Sequence, residues 1–167
     1  MKKTLLVLTT LSFTLLCMLS CGEEHAIKSQ IQKKMDSLSN VTGADIEIKY
    51  DKFYGCVWKY DDEEDKAIIK KYGKEKYDRI SEYSIDIMTN SIVHHTTNNI
   101  QAIKEQAIEI DRILKDCGIK PTSYFSVCRL EMTYPVTEQK AVGFMGIVGN
   151  SNTIGVILDE DSFRQIE

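Results

Sequence analysis

From Ile27 onward the apolar residues recur with helical spacing: Ile27, Ile31, Met35 and Leu38 step by four, four and three, with Lys28, Lys33, Lys34 and Asp36 on other faces. A stripe of this kind occupies one side of a 3.6-residue helix and predicts helix over residues 24–39, stopped within residues 40–43. Ile46, Ile48 and Tyr50 then alternate with Glu47 and Lys49, the pattern of a half-buried strand. Residues 53–60 form a second candidate strand so close behind that the two are either one bent strand or a tight hairpin. Acids fill positions 61–65, which suits the positive end of a helix dipole, and the following Ala67, Ile68, Ile69 and Tyr72 extend that helix to a break near Gly73. A longer helix over residues 74–96 is predicted by Tyr77, Ile80, Ser84, Ile87, Ser91 and His95. The clearest stripe comes next, with Ile100, Ile103, Ala107, Ile110, Leu114 and Cys117 at 3-4-3-4-3 spacing. Asn98 with Gln101 makes a capping-box pattern before it, and Gly118 and Pro121 mark its end.

The period changes in the last third. Tyr124, Cys128, Leu130, Met132 and Tyr134 share one face of a strand, with Arg129, Glu131 and Thr133 on the other. Residues 141–148 are almost wholly apolar, as in a central strand, and Gly143 and Gly146 permit a bulge or a close approach. Turn chemistry at 149–152 and a return strand over 153–158 complete a three-stranded antiparallel meander. Helices followed by a run of strands predict an α+β domain, with helices packed on one face of an antiparallel sheet.

Residues 4–20 stand apart because they carry no charge and follow Met1-Lys2-Lys3. A short basic start, an apolar run and the exit Met18-Leu19-Ser20-Cys21-Gly22 make an export signal rather than part of the fold. The exit resembles the lipobox of bacterial lipoproteins, with Ser20 at −1, Leu19 at −2, Met18 at −3 and Cys21 as the modified residue. The resemblance covers about an eighth of the chain. It implies cleavage of residues 1–20, a diacylglyceryl group on the sulfur of Cys21, acylation of its amine, and a single domain over 21–167 tethered to the membrane by that lipid. Two alternatives are ordinary signal cleavage, with Ser20 and Gly22 as the small residues, and an uncut anchor; the apolar run is short of the ~20 residues of a spanning helix. Gly22 stands where an Asp would favour inner-membrane retention, and Glu23-Glu24 resembles the acidic tag of surface-directed lipoproteins, so the outer membrane is the expected location. The same two acids also suit the first turn of a helix.

The composition, 43% hydrophobic and 28% charged with two prolines in 167 residues, is that of one ordinary globular domain. Loss of residues 1–20 removes Lys2 and Lys3 and leaves 19 basic against 25 acidic side chains. That acidic balance gives no footing for a nucleic-acid partner. Cys56, Cys117 and Cys128 allow one disulfide with one thiol over, or three buried thiols, and their scatter without a C-x-x-C pair argues against a metal centre. A core of this size is sufficient without metal or cofactor.

Candidate chemistry is sparse. His94 and His95 are adjacent, and on a helix they diverge by about 100°, so they cannot both hold one metal ion. They suit a helix end, or, with a carboxylate, a hydrolase site. Tyr50, Phe53, Tyr54, Trp58 and Tyr60 crowd five aromatics into eleven residues. Tyr54, Trp58 and Tyr60 are the candidate binding surface for a protein or glycan, set against the same rings filling a sheet face. Arg129 and Glu131, two apart, form a cross-strand surface pattern, and the acids at 159–161 suit a solvated strand end. G-x-S-x-G, P-loop and H-E-x-x-H motifs are absent from the sequence. Three function classes follow: a non-enzymatic, lipid-anchored binding or accessory component of the envelope; an envelope hydrolase using His94 or His95; and an inhibitor or immunity-type protein whose acidic charge meets a basic target.

Overall fold

A computed structural model describes residues 2–92 and 100–166, with side chains over 22–90, 100–159, 162, 164 and 165. The elements run α1 (Lys2–Thr42), β1 (Asp45–Tyr50), β2 (Tyr54–Cys56), α2 (Asp62–Tyr72), α3 (Lys74–Ile92), α4 (Ile100–Cys117), β3 (Ser123–Tyr134), β4 (Gln139–Gly149) and β5 (Ile154–Ile166). The five strands form one antiparallel sheet ordered β1-β3-β4-β5, with β2 also paired to β3. The chain is therefore an α+β domain whose last three strands are a meander.

The helix ends follow local chemistry. At the start of α2 the Asp61 carboxylate accepts the N–H groups of Glu63 and Glu64 at 2.9 Å, while Glu64 accepts the N–H of Asp61, a complete capping box. At the end of α4 Gly118, with φ +70°, lets Ile119 N–H reach the carbonyl of Leu114 and Gly118 N–H that of Lys115. This pair of bonds is the Schellman arrangement, and Pro121 follows it.

β1 and β2 are one bent strand. Both lie antiparallel to β3, Asp45 to Tyr50 against Thr133 to Cys128 and Tyr54 to Cys56 against Phe125 to Ser123. At the bend Asp51 N–H still bonds the carbonyl of Val127, and the Ser126 hydroxyl donates to the carbonyl of Asp51. The chain so bypasses two residues without leaving its partner.

The sheet is covered on both faces, whereas the sequence pattern placed the helices together on one. α2, α3 and α4 cover the face that carries Phe125, Val148 and Ile157, with Ile68, Ile80, Ile87, Ile103, Ala107, Ile110 and Leu114. On the opposite face α1 seats Ile27 and Ile31, both fully buried, against Tyr124, Cys128, Leu130, Met145 and Ile147. The alternation of β3 and β4 requires this, since their odd and even side chains are both apolar around Tyr124–Cys128 and Met145–Val148. Gly146 faces α4, where an added Cβ would lie 3.0 Å from the Phe125 ring and 3.3 Å from Ile100, so its bareness admits both.

β5 extends well beyond residue 158. Opposite Gly143 the β4–β5 register shifts, with Val142 paired to Arg164 and Phe144 to Asp159. The Ser162 hydroxyl fills the gap, accepting the N–H of Phe144 at 2.7 Å and lying 2.7 Å from the carbonyl of Asp159, to which it donates. The acids at 159–161 thus lie within a bulged strand rather than at its end.

α4 is pinned to β2 by a buried carboxylate. Asp111 is 8% exposed; its Oδ1 accepts the N–H of Gly55 at 2.9 Å and its Oδ2 that of Lys115 at 2.6 Å. A Cβ on Gly55 would lie 2.9 Å from Pro121 and 3.2 Å from this carboxylate. Gly55→Ala is expected to lower stability by about 1–3 kcal/mol through overpacking, read as a lower denaturant midpoint with unchanged slope. Gly22→Ala, where nothing lies within 4 Å, should leave the midpoint unchanged or raised.

Candidate functional site

The aromatic run divides between the two faces of the sheet because the strand that carries it bends. Tyr50 and Phe53 stack at 6.0 Å beneath α1, where the Lys28 ammonium lies 5.5 and 5.3 Å from their centroids. Burial pushes the Tyr50 phenol up to about 12. Tyr60 belongs to the opposite core, 8% exposed, edge-on to Tyr77 and 3.4 Å from the Ser84 hydroxyl. Tyr54 is half-buried against the same core with Lys52 over its ring. Trp58 is half-buried at the end of the sheet, its backbone N–H donated to Thr122 Oγ1 at 3.4 Å. Tyr54, Trp58 and Tyr60 therefore do not converge on one open groove; Tyr60 is core. His94 and His95, with the Asn98 cap, lie outside the described residues, and of Cys21 no side chain is described.

Cys56, Cys117 and Cys128 are all free thiols. Cys56 lies in the core beneath α4 and Cys128 in the core beneath α1, so the sheet itself separates them. Burial pushes both thiols up to about 12, and that of half-buried Cys117 upward as well. At neutral pH they are un-ionised and poor nucleophiles.

A concavity of about 520 Å³ opens between the N-terminal turn of α4 and the sheet. Ile100, Gln101 and Lys104 of α4 form one wall, and Lys49, Tyr50, Asp51, Val127, Arg129 and Phe144 form the rest. Its floor is apolar, with Phe144 40% exposed. Its rim is charged, and β-pairing sets the order of the charges. Glu47 stands opposite Glu131 and Lys49 opposite Arg129, two like-charge juxtapositions. The diagonal relieves both: Lys49 Nζ lies 2.8 Å from Glu131 and 3.6 Å from Glu47, and Arg129 Nε 3.3 Å from Glu131. Across the groove Lys104 of α4 pairs with Asp51.

These pairings move Glu131, Lys49, Asp51 and Lys104 away from neutrality. The hydrogen bond from Lys49 holds the Glu131 carboxyl below its usual range, and the same bond raises Lys49. Lys104 lowers Asp51 and is itself raised. A general acid or base working near neutral pH needs the opposite displacement. Among the described residues no group of three or more His, Cys, Asp or Glu side chains is placed to hold a metal ion. What the groove offers is a greasy floor within a ring of fixed, alternating charge, a surface for a ligand that carries both polar and apolar groups. The sequence signalled only the Arg129 and Glu131 part of it, because Lys49, Asp51, Lys104 and Phe144 meet through strand register and the placement of α4.

In the native protein a thiol-reactive dye at mildly alkaline pH is expected to titrate Cys117 alone among these three cysteines, with all three reacting after denaturation; rapid native reaction of Cys56 or Cys128 would contradict their burial. A double-mutant cycle on Asp51→Asn and Lys104→Met should give a coupling of about 0.2–1 kcal/mol near neutral pH, the range of exposed pairs. Asp51 has its folded pKa depressed below the ordinary 3.8, so that coupling is full above this value and vanishes as acid protonates the folded carboxylate. Stability measured across the acid range checks the sign.

Searches of protein families, curated proteins and solved structures return no match to this chain.

Proposed function

We propose that this chain is a lipid-anchored protein of the cell envelope, placed at the outer membrane, whose folded part is a non-enzymatic binding or accessory component. The observation that carries the anchor is the sequence Met18-Leu19-Ser20-Cys21 at the end of an uncharged run that follows Lys2 and Lys3. An acyl chain contributes roughly 0.8 kcal/mol per buried methylene and a single chain holds only marginally, so two or three chains on Cys21 make a lasting tether. Among the described residues, whose side chains begin at Gly22, no helix is long and apolar enough to cross a membrane.

The groove supports binding rather than catalysis, for Lys49 with Glu131 and Lys104 with Asp51 are engaged in pairs, and each of these four groups is shifted away from neutral pH. An incoming partner with its own charges exchanges those pairs for equivalent ones while burying Phe144 and Val127. A protein segment or a glycan meets that description, since each combines hydrogen-bonding groups with apolar surface.

Metabolic labelling with a fatty-acid analogue should mark the wild-type protein and leave Cys21→Ala unmarked, with the variant released from the membrane fraction. Equal labelling of both proteins would overturn the anchor.

A further inference from the structure

We infer that the domain rests on the lipid surface in one fixed orientation, with the Trp58, Lys120–Thr122 and Asn150–Asn152 end of the sheet against the headgroups and the groove held clear of them. This rests on lipid attachment at Cys21 and adds where that attachment leaves the rest of the molecule.

The argument begins with how little chain separates Cys21 from the fold. Glu23, two residues on, accepts the backbone N–H of Ser151 at 2.7 Å, with the Ser151 hydroxyl at 3.4 Å. Gln30 donates to the carbonyls of Asn150 and Ser151 at 3.1 and 3.0 Å. Two residues span at most about 7 Å even when fully extended. Ile27 and Ile31, fully buried, fix the helix that carries Glu23. A flexible stalk is therefore missing between the tether and the domain, and the lipid attaches beside the β4–β5 turn.

Hydrogen bonds then show what shares that end. Asn150 Nδ2 donates to the carbonyl of Thr122 at 3.3 Å, and the backbone N–H of Trp58 donates to the Thr122 hydroxyl. Thr122 N–H in turn bonds the carbonyl of Cys56. All lie beyond the pairs Cys56–Ser123 and Tyr124–Gly149, which close this end of the sheet. Trp58 is half-buried there, its neighbour Lys59 is exposed, and so is Lys120. A tryptophan flanked by lysines suits the headgroup layer, where an amphipathic ring and positive charge are both favoured. Acids share this part of the chain: Glu23 is engaged by Ser151, Glu24 lies 4.0 Å from Lys28, and the exposed Asp61, Asp62 and Glu63 begin three residues after Trp58, where Asp61 caps α2 and Glu63 pairs with Lys66.

The opposite end is the β3–β4 turn, where Val136 is 96% exposed. β4 has 11 residues, so the two turns lie about 35 Å apart. The groove runs from Val127 toward that far end, past Arg129, and opens away from the membrane.

Trp58 is the only tryptophan in the chain, so it reports its own depth. The experiment uses full-length protein purified from membranes and reconstituted in vesicles of phosphocholine lipid carrying a nitroxide on the headgroup, with the mass of the N-terminal peptide recorded. The expected result is loss of Trp58 emission in the native chain and little loss from a Trp58→Phe, Val136→Trp variant. A ten-residue Gly/Ser insertion between Gly22 and Glu23 should restore most of the Trp58 emission. Equal quenching at the two positions, or no response to the insertion, on a peptide of lipidated mass would overturn the orientation and leave the anchor standing. An unmodified peptide would overturn the anchor itself, and the orientation with it.

Discussion

A strand that is apolar on both sides has to be covered twice, and β3 imposes that condition on this protein. Tyr124, Cys128 and Leu130 point to one side, Phe125 and Val127 to the other, while its two edges are occupied by the bent β1–β2 strand and by β4. One helical layer would leave about half of these side chains in water, at roughly 1.5–3 kcal/mol for each large one. The fold answers with three helices on one face and α1 on the other. Everything else is placed by that division: the two separated thiols, the split aromatic run, and the closeness of α1 to the β4–β5 turn.

Because α4 spans the sheet only from its Cys117 end to Ile100, part of the helical face is left with charged rather than apolar residues. The alternation of β3 switches there, from Phe125 and Val127 to Arg129 and Glu131, so the uncovered surface is one that tolerates water. Register then decides the electrostatics. Like charges face each other directly across β1 and β3, and the diagonal contact of Lys49 with Glu131 turns two repulsions into a network. Such exposed pairs stabilise the fold little, and their value lies in holding long side chains around an apolar floor.

Much of this architecture was legible in the pattern of residues. The 3-4-3-4-3 stripe of α4 ended at the Gly118 and Pro121 signals, and the Asp61 to Asp65 acids opened α2, because helix ends are determined by neighbours in sequence. Gly143 and Gly146 marked a bulge and a close approach, as the absence of a side chain suggested. The two-sided burial was less legible: Phe125 and Val127 interleave with Tyr124 and Cys128, and an apolar run does not say which helix covers which side. Ser162 closing a bulge opposite Gly143 was not legible at all, since the effect depends on a register shift between residues 18 apart. The groove was hidden for the same reason. Its residues come from β1, α4, β3 and β4, and periodicity within one element says nothing about which elements meet.

The three cysteines have a consequence for how the molecule matures. With Cys56 and Cys128 sealed in cores on opposite sides of the sheet and Cys117 unpaired, no covalent cross-link among them contributes to the native state. The described fold therefore needs no disulfide among these three cysteines and no oxidant to make one. Reaction of either sealed thiol with a stray disulfide needs prior opening of the core, so resistance to such reshuffling is set by the unfolding rate of the domain rather than by the chemistry of sulfur.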